Sequence, residues 1–283
     1  GIIFPILKEL GLEEKQRFVR TRHQISWDEH DIPFRNPAQT CRDLEKCFPD
    51  EKSPLKRYFR WVEIGGTGFH DSLKSGMMFG RDVFKTILQL VVHHPLFPWA
   101  SWVANGQTNR SLHDRYFKDG YLRQILNQLG FPVMAGQNTL GMWASYYYDT
   151  WIPIGGMQAF ADIFVHFIRE NGGEVHLGKR IHRIRVENGQ ATGVELQNGE
   201  FIPADWVVSA ADLNHTCFEL IGRDHLSSTM TDKLENARPS ESLFAVFLGL
   251  GSSPEFSASL KHFYENNVSF TCADAKYIQL VLL

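Results

Sequence analysis

Cysteine is scarce in these 283 residues: Cys41, Cys47, Cys217 and Cys272 are the four, and none stands in a CxxC pair. That is too few for a disulfide scaffold, so a reducing compartment, the cytoplasm, is expected. No run is long and apolar enough to span a membrane, and no signal peptide is present. Positive charge is not in excess either; the net charge is −3, so no basic field points to nucleic acid. A nucleophile elbow, an HExxH pair and a P-loop are all absent. Two places approach a dinucleotide fingerprint without making one. Gly249-Leu250-Gly251-Ser252-Ser253-Pro254 ends in proline with no βαβ unit behind it, and Gly66-Thr67-Gly68 follows a helix instead of a strand. Both read as turns. His93-His94 stands beside Pro95 and Pro98 with no carboxylate at ligand spacing, while His176 and His182 fall in expected strands, so no metal is expected. Internal repeats and low-complexity segments are lacking as well. No catalytic constellation is visible, and the catalytic residues are left unassigned.

What is present is an ordinary core-forming composition, 43% apolar and 22% charged, enough for about one or two domains. Aromatics make up 13%, with 21 Phe and 7 Trp, which suits either a wide apolar cavity or a large core. Periodicity and breakers place helices at Ile2–Leu10, from Thr40 as N-cap to Pro49, and at Asp50–Ile64 with Gly65-Gly66 as the stop. Further helices are expected at Arg81–Val92, Ser111–Tyr116, Gly120–Leu129 and Thr139–Tyr148. Residues 21–40 read as strand and loop, and Arg20, Arg22 and His23 read as a small solvated basic cluster. Trp143, Tyr146, Tyr147 and Tyr148 either line a pocket or pack the core.

The chain is organised around Trp151–Asp212. Gly155-Gly156 open a helix with apolar Met157, Phe160, Ile163, Phe164, Phe167 and Ile168 at helical spacing, and Asn171-Gly172-Gly173 end it. A short buried strand holding Val175 and Leu177 is expected next. A meander follows, turning at Asn188-Gly189 and Asn198-Gly199. Trp206-Val207-Val208 reads as an apolar strand running into Ser209-Ala210-Ala211-Asp212, small residues where a backbone could approach a ligand. Beyond it lie helices at Leu213–Ile221 and Thr229–Asn236 and strands at Ser242–Leu250, Val268–Cys272 and Lys276–Leu283.

The run Ile152-Pro153-Ile154-Gly155-Gly156-Met157-Gln158-Ala159-Phe160-Ala161-Asp162 resembles the P-x-G-G-M-x-x-L-A-D helix start of the phytoene desaturase-like flavoproteins. That group includes carotenoid desaturases, carotenoid isomerases and retinol saturases, within the amine-oxidase superfamily. Asn171-Gly172-Gly173-Glu174-Val175-His176-Leu177-Gly178, Ile181 with Ile184, Asn188-Gly189 with Gly193-Val194-Glu195-Leu196, and Val207-Val208-Ser209-Ala210-Ala211-Asp212 follow in the family's order.

The resemblance implies an α/β fold, α+β over this stretch. It implies part of a two-domain, Rossmann-like FAD-binding flavoprotein with a helical and β-sheet substrate domain. Residues 1–150 would be the mostly helical substrate region, 151–222 an FAD-domain segment and 223–283 a substrate-domain sheet segment. The chain is expected to be an internal piece lacking the GxGxxG unit and a C-terminal segment. FAD is therefore expected on the full-length protein and weakly or not at all on this chain alone. The resemblance places the adenine against the backbone of Arg180 and Ile181 and the phosphates and ribose beside Ser209, Ala210 and Ala211. It makes Trp143, Tyr146 and Tyr147 the substrate pocket. The implied activity is carotenoid desaturation or isomerisation on an apolar isoprenoid-like substrate, the flavin taking a hydride. An apolar substrate dissolves in membranes, so a peripheral membrane contact through Leu96, Phe97, Trp99 and Trp102 is expected. Two alternatives share the scaffold: a flavin-free prenyl-protein-binding protein of the GDP-dissociation-inhibitor kind, and an amine oxidase.

Overall fold

The structure, a computed structural model, describes residues 3–27, 30–74, 88, 90–130, 132–237, 268–272 and 278–281. In chain order they form α1 (Ile3–Glu9), β1 (Phe18–Arg20), β2 (Arg22–Trp27), β3 (His30–Pro33), α2 (Pro37–Cys47), α3 (Lys52–Lys74) and α4 (Phe97–Ala104). Next come α5 (Asn109–Tyr116), α6 (Gly120–Gln128), α7 (Gln137–Ala144), β4 (Trp151–Pro153) and α8 (Gly156–Glu170). The rest are β5 (Ile181–Glu187), β6 (Gln190–Leu196), β7 (Phe201–Pro203), α9 (Ser228–Glu235), β8 (Val268–Cys272) and β9 (Ile278–Val281). π-helical segments extend Ser145–Asp149 and His215–Gly222. Helices are thus mixed with small sheets. The expected strand at 242–250, the segment 251–266, the turn at 249–254 and most of the expected helix at 81–92 lie outside the described residues. The chain divides into two units, Gly1–Phe164 with Glu241–Leu283, and Val165–Ser240.

The larger unit is built on α3. Leu55, Tyr58, Phe59, Trp61 and Val62 recur at helical spacing and are all buried. The helix was expected to stop at Gly65-Gly66; instead it runs on to Lys74. The glycines are there for close packing. A Cβ on Gly65 would stand 2.4 Å from Leu140 of α7, and one on Gly68 would stand 2.5 Å from the Phe97 ring of α4. Trp61 fastens the same contact, its Nε1–H donating to the Ala100 carbonyl at 2.9 Å. The start of α2 is also shifted: Asn36 caps it, accepting from the Gln39 N–H, and Pro37 opens it, its missing N–H costing nothing in a first turn. Thr40, the expected cap, is buried within the helix and returns its hydroxyl to the Asn36 carbonyl.

Two sheets belong to this unit. β1 and β4 pair antiparallel, and β3-β2-β8-β9 form a four-stranded sheet in which only the β2–β8 pair is parallel. Ile25 and Trp27 on one face of β2 are buried. Trp27 lies against Phe48, which follows α2, and His23 on the same face meets the Tyr146 ring at 4.6 Å.

The smaller unit is the meander β5-β6-β7, with the π-helical segment His215–Gly222 packed on β5. The β5–β6 hairpin turns at Asn188 (φ 51°) and Gly189 (φ 77°), the two positive angles that a tight hairpin needs. Gly193 has φ 150°, and a Cβ there would lie 2.3 Å from the Ile202 carbonyl oxygen of β7. Two expected strands are not strands. Residues 174–180 are irregular with Leu177 exposed, and 204–210 are irregular with Trp206 89% and Val208 94% exposed. An apolar run becomes a strand only where another strand meets it, and no strand pairs with either among the described residues.

Candidate functional site

The expected cofactor residues fall in two places in the smaller unit. The first is the start of β5, an edge strand among the described residues. Arg180 and Ile181 differ there. The Arg180 carbonyl is turned toward β6, accepting from the Gln197 N–H at 3.0 Å. Ile181 pairs with Leu196, whose own N–H is turned the other way, to the Glu200 carbonyl at 2.8 Å. Backbone groups alternate sides along an antiparallel strand, so the Ile181 N–H and C=O face the open edge. A planar donor–acceptor ring can pair with such an edge as another strand would. Ile181 thus leaves both backbone groups on the open edge, whereas the Arg180 carbonyl is spent on Gln197.

The second place is Ser209–Asp212. Ser209, Ala210 and Ala211 are exposed and lie outside any helix or strand. The Ser209 hydroxyl pairs with Thr216 Oγ1 at 2.8 Å, and Asp212 Oδ1 accepts from the His215 N–H at 2.9 Å, capping the helical turn that follows. The loop is thus tied at both ends, with the Ala211 N–H turned onto Ser209 Oγ at 3.4 Å, while the alanines add no bulk. Small side chains ahead of a helix start suit the close passage of an anionic ligand. Both places fit the adenosine and phosphate portions of FAD.

Helix α8 carries the expected apolar face, yet none of its residues is fully buried and Met157 is exposed. Gly155 precedes it and Gly156 opens it, with φ 91° and 81°, angles that a side chain would resist.

The expected pocket aromatics are placed differently. Trp143 and Tyr147 are buried and stacked, with ring centroids 5.3 Å apart at 12°. The polar tip of Trp143 is spent on Tyr58 Oη, and that of Tyr146 on the Leu129 carbonyl at 2.6 Å. Trp143 and Tyr146 do line a cavity with His113, Thr139 and Met142, but it measures about 10 Å³, room for roughly one water. Another cleft, about 560 Å³ and open, runs past Arg110, Asp114, Arg123, Gln124, Asn127 and Pro132.

Sequence reasoning missed a buried polar chain through this core. Trp143 Nε1–H donates to Tyr58 Oη at 2.9 Å, Tyr58 donates to His113 Nε2 at 2.9 Å, and His113 Nδ1–H donates to Asn127 Oδ1 at 2.7 Å. Indole can only donate and an amide oxygen only accept, which fixes every direction. His113 is neutral, its pKa lowered to about 4 by burial. His23, read as a solvated residue, is buried instead, with its pKa also lowered to about 4 by burial. Its Nε2, like Thr21 Oγ1, has no hydrogen-bond partner among the described residues. The helical spacing of Asn109, Leu112, His113 and Tyr116 was the signal available. His94 is tied to Asp71 at 2.8 Å, and no three His, Cys, Asp or Glu gather as a metal site among the described residues.

Residues 104–272 match the family model described as flavin containing amine oxidoreductase, more than half of the chain. The chain belongs to that family. Similar proteins include the zeta-carotene-forming phytoene desaturase of Myxococcus xanthus, 30% identical over 79% of this chain and 43% of that protein. The neurosporene-forming phytoene desaturase of Rhodobacter capsulatus is 29% identical over 65% of this chain and 36% of its own length. The 4,4'-diaponeurosporene oxygenase of Staphylococcus aureus is 30% identical over 67% and 38%. The matched stretches span less than half the length of each relative. Within this flavin-containing family, the meander and the Ser209–Asp212 loop both fall inside the matched segment.

Proposed function

We propose that the whole protein is an FAD-dependent oxidoreductase that removes or rearranges hydrogen along an acyclic carotenoid-like chain. The observation that carries the reading is the alignment with carotenoid desaturases over 79% of this chain in a family described as flavin containing. The open edge at Ile181 and the small loop Ser209–Ala211 support it, because they offer backbone where the adenosine half of FAD would lie. When bound, the flavin supplies an acceptor for hydride from a substrate carbon. This chain's residues would hold and orient: Ile181 through its N–H and C=O, Ser209–Ala211 by staying out of the way. Aromatic packing around Trp143 would support the helical layer. The polar chain through His113 is paired from Trp143 to Asn127, and it ties together the helices that carry Tyr58, His113, Asn127 and Trp143.

The test is an anaerobic single turnover. The complete protein, loaded with FAD, is mixed with phytoene in detergent. Flavin bleaching together with a longer-wavelength polyene spectrum is expected. Bleaching by a primary amine but not by phytoene would assign the protein to amine oxidation and overturn the reading.

A further inference from the structure

The buried polar chain has a direction, and that direction decides what its last member shows to the outside. Trp143 Nε1–H can only donate, so every later bond points the same way and Asn127 receives the His113 proton on Oδ1. The Asn127 amide cannot turn over, because its NH2 group would then meet the His113 N–H. Its Nδ2 is therefore a committed donor. That nitrogen makes no hydrogen bond among the described residues, and half-buried Asn127 lines the open cleft of about 560 Å³.

Two helices wall this cleft, with Arg110 and Asp114 on α5 and Arg123, Gln124 and Asn127 on α6. Asp114 and Arg123 neutralise each other at 2.9 Å. Arg110 makes no ion pair among the described residues, and its backbone N–H is fastened to the Pro132 carbonyl at 3.0 Å, which brings Pro132 into the wall. One guanidinium charge is thus left over. The wall is also preformed. Glu51 accepts from the Lys118 and Asp119 N–H groups at 2.6 Å each, and the Asp119 carboxylate caps α6 through the Leu122 N–H at 2.8 Å. The turn between the two helices is held before anything binds.

We propose that this cleft binds a phosphomonoester of nucleotide size, its phosphate on Arg110 and its neutral polar edge on Asn127 Nδ2 and the Gln124 amide. A planar guanidinium takes two phosphate oxygens at once. Ligand cavities run from about 300 to 1,000 Å³, so a free phosphate would leave most of this one empty. Pro132 and the arginine stems offer a wall on which a flat ring can lie. The site shares no residue with the Ile181 edge or the Ser209–Ala211 loop, and it does not depend on the flavin reading.

The test uses the complete protein saturated with FAD, which keeps an added nucleotide out of the cofactor's own adenosine site. Calorimetric titration with AMP is expected to show one saturable site. Inorganic phosphate should compete weakly and adenosine should not bind. Arg110→Gln should weaken AMP binding roughly tenfold or more. Asn127→Asp keeps an oxygen for the His113 N–H but replaces the cleft donor by a carboxylate, so it should weaken AMP at least as much while unfolding stays cooperative. Ile181→Pro should leave the AMP affinity unchanged. AMP should also shift the His113 imidazole N–H proton resonance, since Asn127 joins that ring to the cleft. Absence of AMP binding, or an affinity that Arg110→Gln does not change, overturns the proposal. So does binding lost with Ile181→Pro and kept with Asn127→Asp, which places the nucleotide at the flavin edge. Phosphate bound as tightly as AMP overturns the nucleotide size. A protein that takes up no flavin yet binds AMP through Arg110 would sink the proposed function and leave this site standing.

Discussion

Replacing Tyr58 by Phe removes one oxygen from the middle of the buried chain Trp143–Tyr58–His113–Asn127. The Phe ring keeps the edge contacts that Tyr58 makes with Phe59, Tyr116 and Phe117, at 5.2–5.4 Å. Two polar atoms lose their partner, the Trp143 indole N–H and His113 Nε2, both in buried residues. An orphaned buried group costs about 1–3 kcal/mol, so the expected loss for two is about 2–6 kcal/mol at pH 7. Urea unfolding followed by near-ultraviolet circular dichroism reads it, since that signal comes from the packed aromatics. A second substitution tests the reasoning itself. His113→Leu removes the acceptor, so Tyr58→Phe should cost less in that background, with the two losses failing to add by about 1 kcal/mol or more. A loss below about 1 kcal/mol for the single variant, or strict additivity in the pair, would refute the reading of this chain as a structural lock.

The same core sets a pH dependence. His23 and His113 stay neutral in the folded chain down to about pH 4, whereas unfolded they take up protons below 6.5. Stability is therefore flat above pH 6.5 and falls toward pH 4, by up to about 1.4 kcal/mol per pH unit for each imidazole, and His113→Leu should roughly halve that slope in urea titrations. Gly193→Ala should destabilise the meander by about 2–4 kcal/mol, because the new Cβ meets the Ile202 backbone oxygen; loss of the β5–β7 amide protection in hydrogen exchange checks it. Glu51 is buried and accepts from the Lys118 and Asp119 N–H groups at 2.6 Å each, so Glu51→Ala should cost about 3 kcal/mol in unfolding free energy. In the complete protein, Ile181→Pro should weaken FAD binding roughly tenfold by deleting an edge-facing N–H that the hairpin does not use, whereas Arg180→Ala should leave binding nearly unchanged in fluorescence titration.

Local signals carried the parts of the fold that are locally determined. Asn188-Gly189 marked a turn because its positive backbone angles belong to those two residues whatever surrounds them. The stop at Asn171-Gly172 was legible for the same reason, with Gly172 at φ 79°. Gly65-Gly66 carried the same letters and meant the opposite, since what decides there is Leu140, distant in sequence, lying against Gly65. Trp206-Val207-Val208 had a strand's composition, but pairing is a property of two segments and one alone does not hold it. Trp143 and Tyr147 could have lined a pocket or filled a core; the stacking between them and the hydroxyl of Tyr58 decide for the core. At the candidate cofactor site, the family resemblance named both Arg180 and Ile181, and only the register against Leu196 and Gln197 separates them. Of the four residues expected to be exposed, Leu96, Trp99 and Trp102 are, whereas Phe97 is half-buried against Gly68, because a sequence shows which residues are apolar without showing which way a helix turns them.

The chain belongs to a flavin-containing family, and we propose that the Ile181 edge and the Ser209–Ala211 loop hold the adenosine end of FAD. The visible absorption spectrum of the complete protein, purified without added cofactor, tests it most directly. Flavin bands at close to one FAD per chain, released on denaturation and lost in an Ala210→Trp variant that remains folded, are the expected result. A colourless protein that cannot be reconstituted with FAD would contradict it.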